Sequence, residues 1–469
     1  MANKLLLNFS GGMNTKASPL ILKDNQAELI LNYNLDKLGG LTKRNGYATY
    51  LSQPVAGMTI NGLYQFNDQS AGTQEQLMVA NVAGNANGII YYNAAGTWTA
   101  AKSDDTASKK SRFSSFIDYV FRANGANVVA SSADGITWGT TNAPAVIIPA
   151  YTAVFQDRVY FANGITSNLS RIWYSSLPSG GAITWTTASD WIDINPDDGD
   201  QITALENNGN RLLIFKNRAL FRWTFGQVEP DRLIGVGTSS QESVKTNFDV
   251  GITFFANPFG VYAYSGGRPK LISRKIQSFI DAVSDWTNVF AEVDGDHYYL
   301  AVGDVTVSGR VYTNAMFVYH ISLDAWTIYT TATAVKFMAR MPTTYPVDTL
   351  YFGSTDGRTY TFLTGTADNT SAISAELISK EILLSFPTRT NIQWVDIFSS
   401  QRSSTNVFYD TDRADKFSPL GALKERVSSF PVKTQGCNSV RIRTTENSGV
   451  VSMIEGFNIE HEPLKKRVN

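Results

Sequence analysis

FIDYVFRANG (residues 116–125) and FQDRVYFANG (residues 155–164) share Phe, Asp, Val, Ala, Asn and Gly in register, 39 residues apart. Each reads as an alternating, half-buried strand ending in a turn. A second element repeats as well. SADGITW (132–138) and STDGRTY (354–360) share Ser-x-Asp-Gly-x-Thr-aromatic, and NAAGTWT (93–99), GAITWTT (181–187) and SLDAWT (322–327) are looser copies. Trp98, Trp138 and Trp185 are spaced by 40 and 47 residues. Asp-Gly supplies the positive-φ position of a tight hairpin turn, and the following Thr and aromatic open the returning strand. A strand-built period near 40 to 50 residues points to the four-stranded blades of a β-propeller.

Working outward, candidate blades fall at 60–101, 111–140, 151–194, 201–237, 244–280, 289–331 and 350–366, so six or seven blades are expected. Helix is sparse; 278–288 (SFIDAVSDWTN) reads as one short helix at a blade edge. From residue 371 the echo stops and long alternating strands follow, which predicts a C-terminal antiparallel β-sandwich. The expected organisation is all-β: an N-terminal arm (1–58), a propeller (59–370) and a sandwich (371–469).

Composition agrees. The 469 residues are 43% hydrophobic, 12% aromatic and only 17% charged, as short strands and tight turns require. Lys plus Arg number 40 against 41 Asp plus Glu. That balance lacks the basic excess of a protein that grips phosphates, so any contact with DNA should be weak and non-specific. Cys437 is the single cysteine, which excludes an intrachain disulfide and a thiolate metal cage. The Leu5–Leu7 run is too short for a signal-peptide core, and no stretch reaches the ~20 apolar residues of a spanning helix. Synthesis and folding in a cytosol are expected.

Catalytic patterns are missing. The Ser-x-Asp-Gly-x-Thr-Trp turn resembles the Asp-box of sialidases, one residue short between Asp and Gly, and such boxes shape turns. Asp134, Gly135 and Trp138, and Asp356, Gly357 and Tyr360, therefore read as turn formers. Arg211, Arg218 and Arg222 lie in one hairpin and do not form the arginine cluster of a sialidase site. DINPDDGDQ (193–201) is oxygen-rich, but its Gly199 falls one place late for an EF-hand and no Glu closes it. A structural loop is favoured, with a divalent ion as the alternative. His297, His320 and His461 sit in strand contexts, and there is no phosphate loop, nucleophile elbow or H-E-x-x-H. No enzyme activity, metal or cofactor is expected.

The N-terminus carries a different signal. Residues 9–47 read FSGGMNTKASPLILKDNQAELILNYNLDKLGGLTKRNGY. A Gly-Gly pair opens an extended arm; 24–35 reads as a short helix with Asn25 and Glu28 as its capping pair; two glycine turns flank a basic step. The arm is too short to bury its own apolar residues, so another surface must order it. The order GG-x-N…DN-x-A…N…GL-x-x-R-x-GY resembles the start of bacteriophage tail nozzle (tail tubular protein B) and packaged-DNA stabilisation proteins of short-tailed phages. The matching positions are Gly11, Gly12, Asn14, Asp24, Asn25, Ala27, Asn32, Gly40, Leu41, Arg44, Gly46 and Tyr47. The closing strand IEGFNIEHEP (454–463) is also similar to that group. The resemblance implies a structural virion protein, made in the host cytoplasm. Six copies would form a ring at the distal end of the tail, below the adaptor that joins the portal and beside tail fibres or spikes. The ring would retain packaged DNA and open for ejection. The gate would be a blade insertion, with 166–195 and 303–313 as candidates; the basic tail PLKKRVN reads as solvated. The competing class is a carbohydrate-binding or glycosidase-like propeller acting as a receptor-binding protein; a plain scaffold propeller is the third.

Overall fold

The computed structural model describes residues 2–464 except 37, 69–70, 83, 165–167, 228–230, 345–346, 401–404, 433, 435 and 450–451. Seven antiparallel blades follow one another around an axis. They begin with the strands Met58–Asp68, Arg112–Phe116, Tyr151–Phe155, Ile202–Asn207, Lys245–Asn247, Phe290–Asp294 and Val335–Thr344. Each first strand touches the first strand of the next blade, and blade seven touches blade one, so the ring closes. Blade two has three strands plus a bridge from Ser131 to Gly139 in place of the fourth.

Apolar alternation builds the interfaces. Buried Phe121 and Phe161, one from each of the two quoted repeats, meet edge-to-face at 6.2 Å between blades two and three. Phe215 and Phe255 do the same at 5.0 Å between blades four and five. Such aromatic contacts contribute about 1 kcal/mol beyond their buried area.

Blade seven is closed from the far end of the chain. Its strands Val335–Thr344, Val347–Ser354 and Thr359–Phe362 are completed by Tyr47–Leu51, antiparallel to Thr359–Phe362. Residues 1–58 therefore contribute the last propeller strand as well as an arm. Pairing the two ends of a ring of about 300 residues makes closure a long-range contact, which must meet a large loop-closure entropy.

The predicted helix at 24–35 is absent. Gln26–Leu31 and Tyr33–Leu35 are strands, and Asn32 between them sits at φ 58. Gln26–Leu31 lies parallel to the outer strand of blade six, Ala325–Thr330, through the Leu31–Ile328 pair, and antiparallel to Ala375–Ser379. It is covered on both faces, with only Glu28 partly exposed. Burial on both sides overrides the helical propensity of Gln-Ala-Glu-Leu. The supposed capping pair is used otherwise: Asn25 Nδ2 donates to Ser10 Oγ (3.4 Å) and Glu28 pairs with Arg441 (3.1 Å). The helix at 278–288 is also shorter than expected. One α-turn, Gln277–Ile280, follows a 3-10 turn, Ser273–Ile276, and Phe279 and Ile280 are buried.

Beyond Gln26–Leu31 the sheet of blade six continues through Ala375–Ser379, Ser439–Glu446, Asn406–Thr411 and Ser418–Ala422. A second sheet faces it: Tyr33–Leu35, Leu41–Lys43, Met453–Pro463, Thr390–Ser399 and Val427–Pro431, with Ala2–Leu6 paired to Met453–Pro463. This is the C-terminal sandwich. Its core residues Leu377, Ile442, Ile397, Phe457 and Tyr33 belong to one cluster with Phe317 and Trp326 of blade six. The surface that orders the arm is thus the chain's own: residues 2–43 supply strands to both sandwich sheets.

Candidate functional site

Arg44 forms the seam where arm, blade six, blade seven and sandwich meet. It is 1% exposed and all five of its N–H donors are used. Nη1 and Nη2 grip Asp368 Oδ1 and Oδ2 at 2.8 and 2.7 Å; Nη1 also bonds Asn45 O (2.9 Å), Nη2 bonds Thr330 O (2.7 Å), and Nε bonds Asn32 Oδ1 (2.9 Å). The bidentate fork needs arginine; a lysine ammonium cannot reproduce it. Asn32 completes the knot. Its Oδ1 also accepts the Thr330 N–H (2.9 Å), and its Nδ2 donates to Ser374 O (2.6 Å) and Thr330 Oγ1 (2.9 Å). Asn tolerates the left-handed backbone found here. Gly46 follows because a Cβ at that position would lie 1.8 Å from Ala367 O. Tyr47 is buried against Phe352 (5.2 Å) and Tyr360 (5.0 Å).

The other arm positions are also spent within the chain. Gly12 has φ 67 and its backbone lies against Ala325 and Trp326, leaving no room for a side chain. Gly11 donates its N–H to Asn25 O (2.9 Å). Asn14 Oδ1 accepts the N–H groups of Lys16 and Ala17 (both 3.2 Å), and Asp24 pairs with Lys380 at 2.8 Å. The structure brings Asn32, Arg44, Gly46 and Tyr47 together with Asp368 and Thr330. Those last two were invisible in sequence, because their partners lie about 300 residues away.

At the propeller axis the first strands enclose a cavity of about 480 Å³. Arg112 and Glu242 form an ion pair on its wall at 2.7 Å, with Lys110 at 3.4 Å and Ser240 Oγ bonded to the Glu242 carboxylate at 3.1 Å. Burial works to raise the Glu242 pKa, but Arg112 and Lys110 outweigh it and keep the carboxyl below its usual range. Lys245 pairs with Glu292 at 2.8 Å. Glu206 is pushed up to about 7 by burial and by Glu292, against the pull of Lys245 and Thr246. Phe113, Phe248 and Phe290 add apolar wall. None of these residues stood out in sequence, since each lies on a different blade and only ring closure collects them.

The oxygen-rich loop at 193–201 carries its own cation. The buried Lys216 ammonium donates to Asp198 Oδ1 (2.8 Å), Asn195 O (3.0 Å), Ser170 Oγ (3.0 Å) and Asp200 O (3.2 Å). An ammonium thus occupies the centre of the oxygen cage where a divalent ion would sit. Asp193 points elsewhere, to Arg171 at 2.7 Å. Among the described residues no cluster of three or more His, Cys, Asp or Glu could hold a metal.

The blade turns are local. Asp134 Oδ1 accepts the N–H groups of Ile136 (2.8 Å) and Thr137 (2.7 Å) and the Ser132 hydroxyl (2.8 Å); Trp138 Nε1 donates to Gly135 O (3.0 Å). Asp356 accepts the Arg358 N–H (3.1 Å) and the Tyr360 hydroxyl (2.5 Å). Gly135 and Gly357 take φ 74 and 77. His297 Nε2 and His320 Nδ1 lie 2.9 Å apart, and burial drives both imidazoles toward the neutral form, joined at His320 by His297. His461 Nδ1 meets Thr390 Oγ1 at 3.1 Å.

Of the two gate candidates, 303–313 is the tip of a long hairpin, His297–Val307 with Arg310–His320, held down by Arg310–Glu376 (2.6 Å) and by Tyr312 packed on Phe279 (5.0 Å). Residues 166 and 167 of the other, 166–195, lie outside the described residues; its remainder includes two strands of blade three, and Trp185 packs on Phe161 at 5.1 Å. Residues 465–469 of the basic tail also lie outside the described residues.

No family model and no curated protein matches the sequence. Among solved structures the chain is similar to YCF48 bound to a D1 peptide (12% identity, 68% of this chain and 96% of that one, TM-score 0.43). It is also similar to BamB from Moraxella catarrhalis (13%, 71% and 96%, TM-score 0.40) and to the N-terminal domain of Nup159 (9%, 71% and 98%, TM-score 0.37). These likenesses concern fold and bring no function with them. The chain is a β-propeller protein on the evidence of its own strand pairing.

Proposed function

We propose that this protein is the nozzle subunit of a short-tailed phage: a non-enzymatic virion protein whose copies ring the distal tail channel, retain packaged DNA and let it leave. The observation that carries the reading is the ordered arm motif, in which Asn32, Arg44, Gly46 and Tyr47 occupy places that other residue types would not fill. The motif welds propeller and sandwich into one subunit able to bear the pressure of a packaged genome. The axial cavity is ligand-sized at about 480 Å³. DNA therefore passes between copies, not through a propeller axis, and a chain balanced in charge, with 40 basic and 41 acidic residues, lets it slide. The gate belongs to a surface facing the ring axis.

Purified virions test this. Gold-labelled antibody against the protein should mark the distal tail tip, and disrupted particles should release the protein with tails. Its absence from particles, or robust turnover of sialyl, galactosyl or glucosyl substrates, would overturn the nozzle reading in favour of a carbohydrate-acting propeller.

A further inference from the structure

We propose that the axial cavity is a binding site for an uncharged polyhydroxylated ligand, a mono- or disaccharide. Its volume of about 480 Å³ lies in the range of small-molecule sites. Its close ion pairs are Arg112 with Glu242 at 2.7 Å, which Lys110 also approaches at 3.4 Å, and Lys245 with Glu292 at 2.8 Å. An anion would have to take a cation from one of these carboxylates and strand it in a buried place, which is costly.

Hydrogen-bonding capacity is left over on both sides of the ledger of donors and acceptors. On blade two, Ser111 Oγ and Arg112 Nε are buried and have no hydrogen-bond partner among the described residues. On blade four, Glu206 lines the same space; Thr246 bonds its carboxyl, and among the described residues no arginine or lysine does, so acceptor sites remain on its two oxygens. Buried polar groups without partners call for one. A hydroxyl both donates and accepts, so a polyol can serve an orphan donor and the Glu206 carboxyl together, whereas an amine or an anion serves only one kind. The remaining wall fits the other aspect of a sugar ring, which has polar edges and an apolar C–H face. Phe113 and Phe290 line the cavity, and Phe248 stands 66% exposed beside it. A phenylalanine left that open is a ready platform for a ring face. No bond is made or broken in this proposal; the site holds a ligand.

The inference is independent of the nozzle reading: single particles in solution would sink the ring and leave this site standing, and a cavity that binds no sugar would leave the ring untouched. The test is ligand-observed saturation-transfer NMR on the full chain with glucose, N-acetylglucosamine, maltose and lactose at millimolar concentration. Inorganic phosphate and spermidine serve as charged competitors. At least one sugar should take up saturation, neither competitor should displace it, and Phe248→Ala should abolish the signal. Glu206→Ala should weaken affinity about tenfold, the value of one lost hydrogen bond to a carboxyl. Glu206→Gln, which keeps shape and an acceptor, should weaken it less, and thermal melts show that each variant is folded. Silence from all four sugars with folded wild-type protein would overturn the proposal. So would displacement by phosphate or spermidine, or binding that Phe248→Ala and Glu206→Ala leave unchanged.

Discussion

The turn at Asp134 and the seam at Arg44 both use a charged side chain to satisfy backbone groups, but at opposite ranges. Asp134 reaches N–H groups two and three residues ahead. Arg44 reaches Thr330 and Asp368, 286 and 324 residues away. The turn can form in an isolated hairpin. The seam exists only when blade six, blade seven, the arm and the sandwich are all in place. A local contact therefore sets the shape of one blade, while the seam couples folding of the whole chain.

That contrast fixes an order of effects. Arg44→Met leaves Asp368 buried without a counter-charge, and breaking a buried pair costs about 3–5 kcal/mol. Urea unfolding should show a midpoint lowered to match, and Arg44→Lys should recover little because one ammonium replaces a fork. A loss under 1 kcal/mol would erase the distinction between seam and turn.

Lys216→Met comes next. It strips a cation from four oxygens within blades three and four, a loss of about 2 kcal/mol for hydrogen bonds to a charged group. Added calcium should restore part of the melting temperature of the variant and leave the wild type unmoved. A wild-type melting temperature that itself climbs with calcium would mean the cage takes metal despite Lys216.

Asp134→Ala removes a local cap and should cost about 1 kcal/mol, with no change in metal content. A cost as large as that of Arg44→Met would show that the blade turns also act at long range.

The smallest effect concerns pH. Glu206 holds its proton more tightly folded than unfolded, since its pKa rises from 4.5 to about 7. The folded state then loses stability as pH climbs through that window, whereas a depressed carboxyl would do the reverse. Glu206→Gln removes the titration, so its stability relative to wild type should increase between those two pH values. A constant difference would mean that Glu206 is not protonated near neutrality.

The same contrast explains what could be read in the sequence. Blades were legible because their signals are short: Asp-Gly turns, alternating RVYFAN and RLLIFK, and tryptophans 40 and 47 residues apart. Blades one to six fall close to the spans expected; blade seven begins at Val335, well before the expected 350, and takes its last strand, Tyr47–Leu51, from the segment expected to be the arm. Gln26–Leu31 was misread because its neighbours are Ala325–Thr330 and Ala375–Ser379, and nothing within six residues announces them. Lys216 as the cation of the 193–201 loop was hidden for the same reason. The axial cavity needed seven blades to assemble it. Arg44 and Asn32 were singled out by motif, but their partners could not be.

The proposed nozzle role requires this seam to make a rigid subunit whose copies pack side by side around DNA. Negative-stain electron microscopy of the purified full-length protein tests it most directly. The account predicts closed rings of six copies with an open centre, and the same rings collapsing to single particles in Arg44→Met. A uniform field of single two-lobed particles from wild-type protein, at concentrations where tails assemble, would contradict it.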